Sequence, residues 1–286
     1  MERKFLVNVQ FFGKQFAGFQ INGTANTVQL AIETALKKLF DANIKIDGCS
    51  RTDSGVSAKE FYFTFATDTK LPADRVAYKL NKFLPSEIQC QQSIEVALNF
   101  NLRANIKSKT YTYCVYTGNH IMPLLNRFAL FVEGDLDMQK MLQASKVLVG
   151  KHNYKSFCNY NPDISTYDRE VLDIKIVKQE NLITFYFTAN GFLYNMVRIL
   201  AGTLIECGKS KMDTDDIQNL FEVQDRGKNP AKTLSPKALT LFNVQFSIPK
   251  LYAFFALKFY FLSIFFNISI VYSAISLRVV SNLFSK

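Results

Sequence analysis

The strongest constraint on the fold of this chain is the order in which two hydrophobic periodicities alternate along it. Residues 4–11 place Phe5, Val7, Val9 and Phe11 on one face at period two, the pattern of a half-buried strand. Asn26 with Gln29 resembles a capping box, and Val28, Ile32, Leu36 and Leu39 follow at helical spacing. Residues 43–49 suit a short strand, 60–67 alternate Phe61, Phe63 and Phe65, 74–84 suit a helix and 87–96 a further strand. The order is β-α-β-β-α-β. After a polar stretch around 99–108 the pattern restarts with strands at 109–117 and 128–133 and a helix from Asp137 to Val149 stopped by Gly150. Strands at 170–178 and 181–188, a helix at about 192–207 ending before Gly208, a short helix from Asp213 or Thr214 and a strand at 239–246 complete it. From residue 128 the order is again β-α-β-β-α-β with one helix added, so the duplication is of architecture and not of residues.

The simplest packing is α+β: two ferredoxin-like β-α-β-β-α-β domains, each a mostly antiparallel sheet with helices on one face. The expected boundaries are 1–105 and 106–249, with residues 250–286 as a tail. The cleft between two such domains is a natural place for a substrate.

Composition narrows the chemistry. Of 286 residues, 48% are hydrophobic and 20% charged, which suits ordinary globular cores. The five cysteines are widely spaced and form no C-x-x-C, so neither a disulfide framework nor a thiolate zinc site is expected. His120 and His152 are the only histidines, which leaves no H-E-x-x-H pair and makes a histidine triad improbable. Any catalysis should rest on carboxylate, hydroxyl, arginine or lysine. No Walker A or G-x-G-x-x-G sequence occurs. The formal net charge of +10 favours a polyanionic partner. Lys250, Lys258, Arg278 and Lys286 belong to the tail, which has no acidic residue, so the body is only moderately basic.

The chain opens MERKFLVNVQ directly into its first strand, with no apolar leader, and a cytoplasmic location is expected. Between Lys258 and Arg278 lie 19 uncharged residues, just long enough to span a bilayer as a helix but rich in strand-forming Phe, Ile, Val and Tyr. A packed tail, a membrane anchor through residues 251–286 and an irregular extension are the three alternatives.

Residues 48–58 read G-C-S-R-T-D-S-G-V-S-A. Locally, Asp53-Ser54-Gly55 favours a tight turn in which Gly55 takes a positive φ, and by itself the stretch suits an Asx turn joining two strands. The run R-T-D-S-G-V-S-A also resembles the R-T-D-x-G-V-x-A signature of the TruA family of tRNA pseudouridine synthases. Further segments are similar to that family in order: F-F-G-K-Q-F-A-G-F-Q (11–20), T-V-Q (27–29), F-N-L-R (100–103), S-K-T-Y-T-Y (108–113), G-K-H-N-Y-K-S-F (150–157), N-G-F-L-Y-N-M-V-R (190–198) and S-P-K-A-L-T-L (235–241). The resemblance runs from about residue 4 to 248. It departs at Phe11-Phe12 for Tyr-Asp, Phe19 for Trp, Ile199 for the frequent Asn and Ala238-Leu239 for Gly-Leu, and none of these removes a group the reaction requires.

The resemblance implies isomerisation of uridine to pseudouridine at positions 38, 39 or 40 of the tRNA anticodon arm, with no cofactor and no metal. It implies Asp53 as the nucleophile, Arg198 as the cation that keeps it ionised, Tyr111 stacked on the extruded uracil with its hydroxyl assisting proton removal from C5, Arg51 at the position the base vacates or at a neighbouring phosphate, and Leu241 in the uracil pocket, where a buried strand Leu is equally expected in any core. Lys107, Lys109, Lys151 and Lys155 are candidate phosphate contacts, and His152 is expected to be structural or RNA-facing. A homodimer is expected, because the family reads an L-shaped tRNA across two subunits. A noncatalytic tRNA-binding protein of the same fold is the rival. Retention of Asp53, Tyr111 and Arg198 together argues against it, since binding needs only basic charge and shape.

Overall fold

The computed structural model describes residues 1–247, and the hydrophobic tail with its candidate membrane anchor lies outside them. Among the described residues no helix is long and apolar enough to cross a membrane.

The first half contains β1 (Glu2–Phe11), α1 (Val28–Phe40), β2 (Asp47–Gly48), β3 (Ser57–Asp68), α2 (Ala73–Leu80) and β4 (Ile88–Val96). The second contains β5 (Ile106–Gly118), β6 (Leu130–Glu133), α3 (Met138–Val147), β7 (Gly150–Asn153), β8 (Asp168–Gln179), β9 (Leu182–Ala189), α4 (Met196–Gly208), α5 (Thr214–Val223) and β10 (Leu239–Phe246).

The period-two face of β1 meets that of β3, with Phe5 opposite Phe65, Val7 opposite Phe63 and Val9 opposite Phe61 in an antiparallel ladder. The rings are in contact: Phe5 and Phe65 have centroids 5.3 Å apart, Phe11 and Phe61 5.5 Å. Helix α1 covers this face with Val28, Ile32, Ala35 and Leu36 buried, and Phe40 reaches to 5.9 Å from Phe65. Leu6 and Asn8, on the other face of β1, are buried too, so this strand is central rather than half-exposed.

The strands form one mostly antiparallel sheet in the order β4-β1-β3-β10-β5-β9-β8-β7, with β2 on β3 and β6 on β5. Two separate sheets were expected; the last strand joins them. β10 lies parallel to β3, with Thr240 opposite Ser57 and Leu241 opposite Ala58, and has β5 on its other side. Residues Met1–Gln245 form one compact unit.

Other differences have local causes. Thr27, not Asn26, caps α1 through its side chain, while Gln29 accepts from the Ile21 amide and donates to Glu33. β2 shrinks to two residues, because only Asp47 and Gly48 pair with β3. β7 is an additional short strand that starts at Gly150, whose φ of 126° suits glycine. Helix α4 starts at Met196 rather than 192, because Asn195 adopts the left-handed conformation.

Candidate active site

The loop between β2 and β3 carries Arg51, Thr52 and Asp53, and its backbone is held by a second loop. The Phe19 amide donates to the Thr52 carbonyl at 3.1 Å and the Gly55 amide to the Phe16 carbonyl at 3.2 Å. Gly55 has φ 80°, as the turn requires. The close approach of the two loops explains the glycines of residues 11–20. A Cβ on Gly13 would fall 2.0 Å from the Val56 carbonyl oxygen, and one on Gly18, at φ 95°, 2.7 Å from that of Thr52.

Asp53 is a little over a third exposed, and its Oδ2 lies 3.9 Å from Nη1 of Arg198. Arg198, on the first turn of α4, is itself fixed: Nε donates to the Leu234 carbonyl and Nη1 to Asn195 Oδ1, each at 2.5 Å. Asn195 makes no side-chain cap on the helix it precedes; its amide oxygen serves the guanidinium instead. Tyr113 also grips the segment before β10, donating from its hydroxyl to the Ser235 carbonyl at 2.9 Å. Burial pushes the Asp53 carboxyl above its ordinary range, and Arg198 pulls it back only in part. The sequence led us to expect the guanidinium to dominate; partial desolvation outweighs it.

Asp53 opens into a cleft of about 250 Å³, whose wall includes Ser50, Arg51, Lys109, Tyr111, Phe192 and Leu239. Tyr111 is buried on β5, with Phe192 edge-on at 5.3 Å and its hydroxyl 3.4 Å from Ser50 Oγ. Burial raises its phenol well above the usual range, so the hydroxyl remains protonated. Arg51 is exposed at the wall and forms no ion pair among the described residues.

The structure therefore brings Asp53, Tyr111 and Arg51 to one cleft, with Arg198 behind Asp53 and outside the lining. Arg198 therefore contacts Asp53 and not the cleft itself. Leu241 is not in the wall: it is fully buried in the sheet opposite Ala58, and Leu239, two residues earlier, lines the cleft. Lys109 is half-buried in the cleft wall, whereas Lys107, Lys151 and Lys155 are exposed. His152 stacks on Phe221 at 4.3 Å with Nε2 3.2 Å from the Val149 carbonyl, a structural placement.

Phe192, Ser50 and Arg169 of the wall escaped the sequence reading. Phe192 could have been found as the aromatic in N-G-F-L-Y-N-M-V-R; nothing local marks Ser50 or Arg169. The departures at Phe19, Ile199 and Ala238 are all buried and outside the cleft wall. Phe19 packs against Phe61 at 4.4 Å and against Gly48, where a Cβ would collide with its ring. Among the described residues no group of His, Cys, Asp or Glu could hold a metal.

Known proteins share this sequence pattern. Residues 144–247 match a family model described as tRNA pseudouridine synthase. A protein of Caldicellulosiruptor bescii named tRNA pseudouridine synthase A is 35% identical over 242 residues, covering 85% of this chain and 99% of its own. Its namesake in Ruminiclostridium cellulolyticum is 34% identical, covering 85% and 100%. That of Staphylococcus carnosus is 35% identical, covering 79% and 85%. Among solved structures, a Cbf5-Nop10-Gar1 complex aligns at 12% identity and a TM-score of 0.34 over 70% of this chain and 54% of its own, too loose a likeness to carry an argument.

Proposed function

The chain belongs to the tRNA pseudouridine synthase A family, and from that premise we propose that it isomerises uridine to pseudouridine in the tRNA anticodon arm, at positions 38, 39 or 40, with Asp53 as nucleophile. The observation that carries the assignment of Asp53 is its place in the cleft, with Arg198 3.9 Å behind it and Tyr111 in the same wall.

The reaction breaks the N1–C1′ bond, turns the uracil and joins C5 to C1′; C5 loses a proton and N1 ends with one. Nothing is oxidised or transferred away, so the residues named here suffice in kind. A uridine in a helical arm must leave its stack to reach the cleft, and the small cleft volume suits a single base. Tyr111, backed by Phe192, offers its ring to the uracil face. Its hydroxyl, held protonated by burial, serves as a hydrogen-bond donor rather than a base. Arg51, exposed at the wall and without an ion pair among the described residues, takes a phosphate or the vacated base position. Asp53, ionised, attacks sugar C1′ or uracil C6.

The same reading treats the body as two ferredoxin-like halves, 1–105 and 106–249. In its support, β2 lies on β3 in the run β4-β1-β3, and the run β10-β5-β9-β8 repeats that order with the strands of the second half. It also takes the enzyme as a cytoplasmic homodimer, since one copy offers limited basic surface for an L-shaped RNA. Incubating the purified protein with unmodified tRNA transcripts and mapping pseudouridine along each tests the reading. Pseudouridine confined to the anticodon arm is expected; none at all, or activity only after a metal is added back to chelated protein, overturns it.

A further inference from the structure

We propose that Lys109 is a further catalytic group of this cleft, its ammonium donating to a carbonyl oxygen of the extruded uracil and stabilising the negative charge that builds on the ring as the N1–C1′ bond breaks. The inference rests on the pseudouridine synthase reading and adds to it a role that neither Asp53 nor Arg198 can fill.

Lys109 and Tyr111 are two residues apart on β5, so their side chains leave the same face of the strand. Both converge on one atom: Lys109 Nζ donates to Ser50 Oγ at 3.4 Å, and the Tyr111 hydroxyl lies 3.4 Å from the same oxygen. The ammonium is thus held beside the ring proposed to stack on the uracil. Lys109 lines the cleft and forms no ion pair among the described residues. A half-buried ammonium whose nearest polar partner is a hydroxyl at long range has donors to spare for an incoming acceptor.

The groups around it sharpen the point. Facing Lys109 are the buried Cys49 thiol, pushed up to about 11, and the Arg103 guanidinium, whose Nε donates to the Gly48 carbonyl at 3.0 Å. Asp53 and Tyr111 share the cleft wall with it. Burial first, and Arg103 further, lower the lysine below its usual range. An anion entering the cleft would relieve that strain. Uracil supplies one: when N1–C1′ breaks, the bonding pair stays with the ring, spread over N1 and the two carbonyl oxygens, until C5 carries it back to C1′. Forming the C5–C1′ bond discharges the ring; C5 then releases its proton and N1 gains one, which restores the conjugated uracil. A donor aimed at charge that exists only in the transition state accelerates the chemical step rather than binding.

The test compares Lys109→Met and Lys109→Arg with the parent in single-turnover assays on an unmodified tRNA transcript, alongside tRNA binding at several salt concentrations. The Met variant should lose about 10²–10³-fold in rate, as removal of one such donor does, with the salt dependence of binding unchanged. The Arg variant should recover part of the rate. In the parent, the rate should fall at alkaline pH below the ordinary lysine range, and the Arg variant should lack that limb. Overturning results are a Met variant that turns over at the parent rate, or one whose only defect is weaker binding with a shallower salt slope, which makes Lys109 a phosphate contact. Should the Met variant fail to fold, the presence or absence of the limb in the Arg variant decides. A parent that makes no pseudouridine sinks the functional reading and this inference together, whereas an active parent with an equally active Met variant sinks the inference alone.

Discussion

Gly18→Ala should damage the chemistry through a residue that never touches substrate. An added Cβ would lie 2.7 Å from the Thr52 carbonyl oxygen and 3.4 Å from the Asp53 carbonyl carbon and the Ser54 amide nitrogen. Carbon–oxygen contacts settle at about 3.3–3.6 Å, so the loop must retreat by roughly 0.6–0.9 Å, and Asp53, the next residue, goes with it. A misplacement of about 1 Å in a reacting group costs on the order of 10²-fold in rate, and we expect a loss of about 10- to 100-fold here. Holding alanine at a φ of 95° adds about 1–2 kcal/mol of destabilisation. Gly23→Ala is the control. Its φ is 55° and its Cβ would meet nothing within 4 Å, so it carries the conformational cost without touching the loop. Urea unfolding of both variants, with single-turnover rates corrected to the folded fraction, separates the two effects. If Gly18→Ala loses no more rate than Gly23→Ala, the inference that residues 13–19 set the position of Asp53 is wrong.

Asp53→Asn should reduce turnover by on the order of 10³–10⁴-fold, while filter-binding affinity for tRNA stays near that of the parent. Because the Asp53 carboxyl is raised on folding, its ionised form costs stability above the unfolded carboxylate range and costs nothing below it. The Asn variant should therefore unfold no more easily than the parent at neutral pH, and relative to the parent it should lose ground as the pH falls through that range; the opposite trend would refute the burial argument. Arg198→Gln should lose less activity than Asp53→Asn and should move the acid limb of the rate profile upward, since the pull that lowers the Asp53 carboxyl is gone; a limb that stays in place means Arg198 does not act through Asp53. Leu241→Ala should cost about 2–5 kcal/mol in unfolding with little change in the rate of the folded protein, whereas Leu239→Ala should raise KM; the reverse assignment would return Leu241 to the pocket.

The parts of this fold that were legible are those where one side of an element is dry. Phe5, Val7 and Val9 opposite Phe65, Phe63 and Phe61 announce both the strands and their shared face. The merger of two expected sheets into one was hidden, because β10 carries the same alternation whether it edges one sheet or bridges two. Asp53, Tyr111 and Arg198 came from resemblance, and the fold then brought the three together from positions up to 145 residues apart in sequence. Local chemistry could not have done so: Asp53 reads as a turn residue and Arg198 as the polar side of a helix. The partial burial of Lys109 was hidden for a related reason. An isolated lysine beside Thr110 and Ser108 reads as surface, and only the loop 49–53 folding against β5 removes it from water.

The charge balance of the cleft answers a difficulty that any carboxylate nucleophile faces with RNA. The substrate brings phosphates toward a group that must itself be anionic, and repulsion would favour protonating it. Among the described residues Asp53 is the one acidic residue in the cleft wall, and Arg51, Lys109 and Arg169 share that wall with it. Arg169 is held by the Thr166 and Asp168 carbonyls at 3.1 and 2.6 Å, so its charge is fixed in place without being neutralised. With Arg198 behind the carboxylate, four cations among the described residues stand around a single anion. The excess lets a phosphodiester approach without forcing Asp53 to take up a proton, and partial burial keeps each interaction stronger than it would be in open water. A protein built only to bind tRNA would gain affinity from the same cations and lose it from the carboxylate among them. The proposed attack on the substrate accounts for Asp53 among these cations better than capture alone does.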